Sequence, residues 1–65
     1  MNYEKNYYDY MSYVKSLNRK KEDYDEVHHI IPKSLGGNND EENLVPLTFR
    51  EHYLAHYLLW KFIHN

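Results

Sequence analysis

Four histidines and one asparagine stand at spacings that suit metal-dependent chemistry. His28 and His29 are adjacent, Asn43 follows after a Gly-Gly loop, and His52 and His56 lie four residues apart. A neutral imidazole offers one nitrogen lone pair to a cation, and histidines one helical turn apart can share a metal with a residue from a neighbouring strand. The pattern predicts a metal centre that combines His52 and His56 with one of the adjacent pair.

The two adjacent histidines are predicted to have different roles. Consecutive side chains of a strand point to opposite faces, so only one of His28 and His29 should face the helix. The other is free to act as a general base, and an acceptor must orient its ring, because that bond decides which nitrogen carries the proton. Asn43, which the loop brings back, is the expected partner. Three protein ligands would leave coordination positions for water and for a phosphate oxygen.

Length and composition limit the other classes of protein. The chain has 65 residues and no cysteine, which excludes disulfides and thiolate zinc sites. On folding, a domain this short buries only about 60% of the surface that its unfolded chain exposes, so a metal, a partner chain or very good packing should stabilise it. No apolar run reaches the ~20 residues of a membrane span, and the polar start does not look like a secretory signal. We therefore expect a soluble, cytoplasmic protein.

The charge pattern does not by itself indicate a nucleic-acid-binding protein. The formal net charge is −2, whereas affinity for DNA depends on lysine and arginine contacts to phosphates. Each basic residue near the histidines is either such a contact or a solvated surface charge, and the basic cluster is either a phosphate-binding surface or the solvated end of a helix. The candidate DNA contacts are Lys33, Arg50, Lys20 and Lys21, the last two in a cluster with Lys15 and Arg19.

A tyrosine-rich stripe predicts a first helix over residues 3–19. Apolar residues recur at intervals of three and four, and Asn2 fits the N-cap position. Three further apolar residues lie off the stripe, so this helix should offer a second apolar surface to a partner chain, to a second copy in a homodimer, or to a missing part of a larger protein. The stripe is Tyr3, Tyr7, Tyr10, Val14 and Leu17, and the residues off it are Tyr8, Met11 and Tyr13.

Two short strands and a second helix follow. The run 27–31 ends at Pro32, and the run 44–47 contains a proline that places it at an edge or at a strand end. Thr48 and Glu51 form a capping box that begins a helix running to about residue 63.

The predicted fold class is α+β, in the order α-β-β-α. We expect a single domain over 1–65, with an N-terminal helix at 3–19 and a ββα core at 26–63. The second helix is apolar nearly all round and needs cover on more than one side. The strands should cover its histidine side, and the first helix or a second subunit should cover the rest.

Several segments together resemble the HNH endonucleases of the ββα-metal fold, most closely the phage-type and homing-type members. The resemblance spans about residues 24–63. Its specificity comes from the combination of the His-His pair, the Gly-Gly loop, the asparagine and the final histidine. The matching segments are EVHHIIPKSLGG at 26–37, NLVPLT at 43–48, REH at 50–52, and His56.

This resemblance implies a role for each residue of the pattern. His28, His52 and His56 would bind the metal, His29 would be the general base, and Asn43 would orient His29. Family members with aspartate and asparagine at the matching positions tend to use magnesium. Three imidazoles, as in colicin-type members, favour zinc, nickel or manganese over magnesium.

By the same resemblance the chain would hydrolyse DNA. His29 would take a proton from water, the metal would stabilise the developing negative charge, and the products would carry 5′-phosphate and 3′-hydroxyl ends. The expected location becomes the host-cell cytoplasm if the chain is phage-encoded. Two alternatives stay open. One is a zinc-stapled module that binds DNA or protein without turnover, and the other is an oligomeric interaction protein with a structural metal.

Overall fold

The fold is α+β, and the predicted order of elements is confirmed. The computed structural model describes residues 1–64 of the chain. No helix within those residues is long and apolar enough to span a membrane. Three single-turn 3₁₀ helices lie between the main elements, at Lys21–Asp23, Lys33–Leu35 and Glu41–Asn43. The main elements are α1 (Tyr3–Ser16), β1 (Glu26–His29), β2 (Leu44–Leu47) and α2 (Phe49–His64).

The two strands pair antiparallel, with His28 opposite Val45. Strand β1 ends two residues before the predicted limit, because the side chain of Asn43 replaces the next residue of the partner strand. Its Oδ1 accepts a hydrogen bond from the Ile31 N–H at 2.8 Å, and its Nδ2 donates to the Ile31 carbonyl at 3.1 Å. An amide side chain has the donor and the acceptor of a peptide group, so it satisfies this backbone without a longer strand.

Helix α1 begins as predicted and ends earlier than predicted. The Asn2 side chain accepts a hydrogen bond from the Lys5 N–H at 3.0 Å, which confirms the N-cap. The helix ends at Ser16 instead of residue 19. Asn18 has a φ of +50°, a left-handed conformation that a right-handed helix cannot contain and that asparagine tolerates better than most residues.

The buried face of α1 differs from the predicted stripe. Tyr7, Met11 and Val14 are each no more than 1% exposed, whereas we expected Met11 on a second, partner-facing surface. At 100° per residue these three positions fall within about 60° of one another, so they form one narrow stripe. Leu17, predicted on the stripe, is 43% exposed beyond the helix end. The stripe packs on the sheet and α2 through Val45, Leu47, Ala55 and Leu59.

Helix α2 begins with the predicted capping box. The Thr48 N–H donates to Glu51 Oε1 at 2.9 Å, and the Glu51 N–H donates to Thr48 Oγ1 at 3.2 Å. Within residues 1–64 the helix is covered on one side only, contrary to the expectation of cover on several sides. Tyrosine and tryptophan rings carry a polar atom that favours a surface position. The exposed apolar residues are Phe49, Tyr53, Leu54, Tyr57, Trp60 and Ile63.

An ion pair joins the segment after α1 to the start of α2. The guanidinium of Arg19 binds both carboxylate oxygens of Glu51, with 2.8 Å between Nη2 and Oε2, and it also donates to the Pro46 carbonyl at 3.2 Å. Paired donors of this geometry make a strong, directional contact. Arg19, a member of the basic cluster, therefore has a structural partner.

Acid should remove the stability that the Arg19–Glu51 pair supplies. The hydrogen bond from Arg19 lowers the pKa of Glu51 from 4.5 to about 2. Because the folded state holds this carboxylate ionised more firmly than the unfolded state, the contribution is complete above pH 4.5 and is lost towards pH 2. For a partly exposed pair we expect the free energy of unfolding to fall by about 1 kcal/mol at pH 3. Urea unfolding at pH 5 and pH 3 measures this loss, and the same loss in Glu51→Gln would contradict it.

Candidate metal centre

Three of the four histidines singled out in the sequence come together in space. His28 of β1 and His52 and His56 of α2 each offer a ring nitrogen, and these nitrogens lie within 4.8 Å of one another. The three ring centroids are 4.6, 5.1 and 5.2 Å apart. His28 is buried, His52 is half-buried and His56 is exposed. The cluster is therefore closed towards the core and open towards solvent.

The helical pair already has the spacing of two ligands on one cation. His52 and His56 are one turn apart, and their Nε2 atoms are separated by 3.0 Å. Two nitrogen lone pairs at this distance repel each other unless a proton or a cation lies between them. Around a tetrahedral zinc, with Zn–N bonds of ~2.0–2.1 Å, ligand nitrogens are about 3.3 Å apart. The donor set therefore fits a divalent metal.

Glu26 orients His52 from the neighbouring strand. Glu26 Oε1 accepts a hydrogen bond from His52 Nδ1 at 3.0 Å, which leaves the Nε2 lone pair directed at the cluster. A carboxylate in this position also makes a ligating imidazole more basic. The histidine pattern alone predicts no role for Glu26. The available signal was its place two residues before His28, which puts both side chains on the same face of β1.

Tyr7 of α1 reaches His28 from the core side. Its hydroxyl lies 2.7 Å from His28 Nε2 and donates to the Ile30 carbonyl at 2.6 Å. From periodicity alone, Tyr7 is predicted only as a member of an apolar stripe. A tyrosine at a fully buried position must place its hydroxyl on a partner, and that requirement was the signal for a polar contact.

Burial favours the neutral form of two of the clustered histidines, His28 and His56. Burial, followed by the neighbouring charges of His52, His56 and His29, lowers the pKa of His28 to about 4. Burial, followed by the charge of His52, also lowers the pKa of His56. Imidazole must lose its ring proton to bind a metal, so the fold favours the form that binds.

His29, the fourth histidine of the pattern, lies outside the cluster. Its Nε2 is 2.8 Å from Asn39 Oδ1. An amide oxygen can only accept, so Nε2 carries the proton and Nδ1 keeps a free lone pair. Among the hydrogen bonds of residues 1–64, none joins His29 to Asn43, the partner that we expected. Asn39 is the partner of His29 instead, because the loop returns to β1 at residue 39 and not at residue 43.

Asn43 instead closes the loop between the strands. Besides its two bonds to Ile31, its Nδ2 donates to the Asn38 carbonyl at 2.8 Å, and its side chain is buried. The loop packs tightly here, since a Cβ on Gly37 would lie 1.7 Å from the Ile31 carbonyl oxygen. Gly36 has a φ of +93° with open space around it. These contacts fix the segment that carries Asn39.

Replacing Gly37 with alanine should open this loop. The new methyl group would collide with the backbone oxygen that Asn43 binds, so we expect the free energy of unfolding to fall by about 3 kcal/mol. Urea unfolding measures the change. Gly36→Asn is the matched control, because asparagine tolerates positive φ and meets no neighbouring atom. Equal losses in the two variants would contradict the assigned role of the close approach.

The basic residues divide between two regions. Lys33 lines an open cavity of about 360 Å³ together with the four histidines of the pattern. Arg50 is exposed in the first turn of α2. Lys20 and Lys21 line a different cavity beside the end of α1, where Lys21 pairs with Glu41 at 3.0 Å. Of the candidate DNA contacts, the structure therefore groups Lys33 with the histidines and separates Lys20 and Lys21 from them.

The chain is similar in sequence to known endonucleases. The model of the HNH endonuclease family matches residues 15–54, a range that includes His28, His29, Asn43 and His52. Probable mobile endonuclease E of Enterobacteria phage T4 is 51% identical over 61 residues, which cover 94% of this chain and 43% of that protein. Probable mobile endonuclease D of the same phage is 60% identical over 42 residues, covering 65% of this chain and 16% of that protein.

The similarity is confined to part of each relative. Probable mobile endonuclease C of the same phage is 61% identical over 36 residues, which cover 55% of this chain and 17% of that protein. The chain thus spans less than half the length of these curated relatives. No solved structure gives a significant match.

Proposed function

The chain belongs to the HNH endonuclease family, and from this membership we propose that it is a metal-dependent endonuclease that hydrolyses phosphodiester bonds of DNA. One observation carries the proposal. His28, His52 and His56 converge as a metal-binding set, while His29, the next residue along β1, stands outside the set with its ring oriented by Asn39. A purely structural metal site has no use for the fourth, oriented imidazole.

The three converging histidines fit one divalent cation. Nitrogen donors suit zinc, nickel and manganese better than magnesium, which prefers oxygen ligands. Three protein ligands leave room for water and for a phosphate oxygen, as catalytic sites require. When bound, the cation would supply positive charge that stabilises the transition state and the departing 3′ oxygen.

His29 is the proposed general base. Nδ1 would take a proton from the attacking water, while the bond from Nε2 to Asn39 keeps the ring in that tautomer and stabilises the positive charge that it gains. The water oxygen bonds to phosphorus as the bond to the 3′ oxygen breaks, and solvent supplies the proton of the 3′-hydroxyl. The proposed products are 5′-phosphate and 3′-hydroxyl ends. Asn43 would act on His29 only indirectly, by holding the loop that carries Asn39.

Basic residues would hold the DNA backbone around this centre. Lys33 lines the same cavity as the histidines, so we assign it a phosphate next to the one that is cleaved. Arg50 and Lys20 are exposed and would contact phosphates farther along the strand, as would Lys21. With a formal net charge of −2, the chain should bind DNA weakly and with a strong dependence on salt.

Nicking of supercoiled plasmid by metal-stripped protein tests this function. Re-addition of zinc, nickel or manganese should restore nicking, and magnesium should restore less. His56→Ala removes a ligand and should reduce the rate by about a hundredfold or more, the upper end of what changes around ligands cause. His64→Ala is the matched control, because His64 lies on α2 beyond the cluster and contacts the Trp60 carbonyl. Undiminished nicking by metal-stripped His56→Ala would reject the proposed function.

A further inference from the structure

We infer that Tyr7, on the N-terminal helix, is a positioning residue that fixes the ring tautomer of His28 so that Nδ1 is the atom offered to the metal. The inference rests on the metal centre of the proposed function and adds to it a residue outside the histidine pattern. Tyr7 also lies outside residues 15–54, which the family model matches. The first helix would thereby contribute to metal binding through His28.

The hydrogen bonds of the Tyr7 hydroxyl determine the tautomer of His28. The Tyr7 hydroxyl has one hydrogen, and its oxygen lies 2.6 Å from the Ile30 carbonyl oxygen and 2.7 Å from His28 Nε2. A carbonyl oxygen only accepts, so the hydroxyl hydrogen must lie between the two oxygens. The short contact to Nε2 then requires a hydrogen from the imidazole. His28 is therefore protonated on Nε2 and has its lone pair on Nδ1.

Burial protects the two hydrogen bonds of the Tyr7 hydroxyl from competition by water. Tyr7 is 0% exposed and His28 is 4% exposed, so bulk water does not compete for either bond. The Ile30 carbonyl belongs to the backbone just after β1, where its position is fixed by the Ile30 N–H bond to the Asn43 carbonyl at 2.8 Å. A hydrogen-bonded chain anchored on backbone at one end holds the imidazole in one tautomer and one orientation.

A second histidine of the cluster shows the same logic with the opposite nitrogen. His52 uses Nδ1 for Glu26 at 3.0 Å and turns Nε2 towards His56. His28 uses Nε2 for Tyr7, and its ring centroid lies 5.1 Å from that of His52. Each imidazole thus gives one nitrogen to an outer partner and keeps the other for the centre. Tyr7 does for His28 what a carboxylate does for His52.

Tyr7→Phe tests the inference by removing one oxygen atom and little else. In the metal-free parent, long-range ¹H–¹⁵N spectra of the histidine rings should show His28 as the Nε2–H tautomer, and the variant should show a mixture. Zinc affinity, measured by competition with a chromophoric chelator, should fall by about 10-fold to 100-fold. Tyr8→Phe is the matched control, because that ring packs edge-on against Tyr7 with centroids 5.0 Å apart. Its tautomer spectrum and zinc affinity should equal those of the parent.

Each outcome decides the inference. An Nδ1–H tautomer in the parent, or parental zinc affinity and an unchanged His28 spectrum in Tyr7→Phe, would overturn it. If Tyr7→Phe does not fold, spectra of the zinc-loaded parent decide, since zinc on Nδ1 of His28 supports the inference and zinc on Nε2 overturns it. These readouts need no DNA. A zinc-loaded parent that fails to cleave would therefore reject the nuclease function and leave the role of Tyr7 standing.

Discussion

Replacing His29 with alanine should reduce the rate of DNA cleavage by about a thousandfold, within the range of 10²-fold to 10⁴-fold that general bases contribute. The side chain lies outside the converging triad, and within residues 1–64 its one hydrogen-bond partner is the exposed Asn39. Its loss should therefore leave the fold and the metal site intact. Single-turnover cleavage at saturating zinc measures the rate, and circular dichroism with zinc titration checks the fold and the affinity.

Two further variants distinguish the loss of the base from changes elsewhere in the chain. Asn39→Ala removes the acceptor of the Nε2 proton and leaves the imidazole, so its rate should fall by only about tenfold. His64→Ala removes a histidine from the same chain without touching the site, and its rate should not change. A rate for His29→Ala within about threefold of the parental rate, with metal bound, would exclude His29 as the base.

Saturating zinc should raise the Tm of the metal-free chain by about 15 °C or more. A ligand at a thousand times its Kd, bound only to the folded state, stabilises a protein by about 4 kcal/mol. In a domain this small each 1 kcal/mol shifts the Tm by roughly 4–8 °C. The ligands join β1 to α2, so the metal would connect the strand to the helix in a chain that lacks disulfides.

Two histidine variants are the controls for this stabilisation by zinc. Zinc should not stabilise His52→Ala, which loses one ligand, whereas His64→Ala should show the full rise in Tm. Lower pH should reduce the effect of zinc in the parent, because protons compete with the metal for the imidazoles. A melting curve of the parent that zinc leaves unchanged would show that the three histidines do not hold a metal.

The parts of the fold that were predicted correctly follow from local sequence patterns. The capping box located the start of α2, and the interval of four between His52 and His56 placed both on one face. The alternation along a strand explains why His28 joins them and His29 does not. These features are local, so the sequence contains all the information needed to find them.

Two of the contacts that the sequence did not reveal join distant segments. Tyr7 and His28 are 21 positions apart, and Glu26 and His52 are 26 positions apart. Periodicity shows that Tyr7 is buried, but only the packing of α1 on the sheet shows which atom its hydroxyl meets. Loop geometry decided the remaining case. Asn43 and Asn39 both have amide side chains near β1. Because the turn at Gly37 is tight, Asn43 bonds to the backbone of Ile31 and Asn39 bonds to the ring of His29.

The basic cluster shows how composition can mislead about function. Lys15 donates to the backbone carbonyls of Glu41 and Leu44, each at 2.7 Å, and Arg19 is bound to Glu51. Half of the cluster, Lys15 and Arg19, therefore attaches α1 and the segment after it to the rest of the fold. A run of positive charge in a sequence does not reveal which members find partners, because those partners lie in later segments of the chain.

Zinc titration of the chain alone, with bound zinc and plasmid nicking recorded in the same samples, tests whether one metal ion and His29 together cleave DNA. We predict that nicking rises in proportion to occupancy, that both saturate at one zinc per chain, and that His29→Ala binds the same zinc without nicking. A parent chain that holds one zinc and leaves the plasmid intact would contradict the proposed nuclease function, and a His29→Ala chain that nicks equally well would contradict the role of His29 as the base.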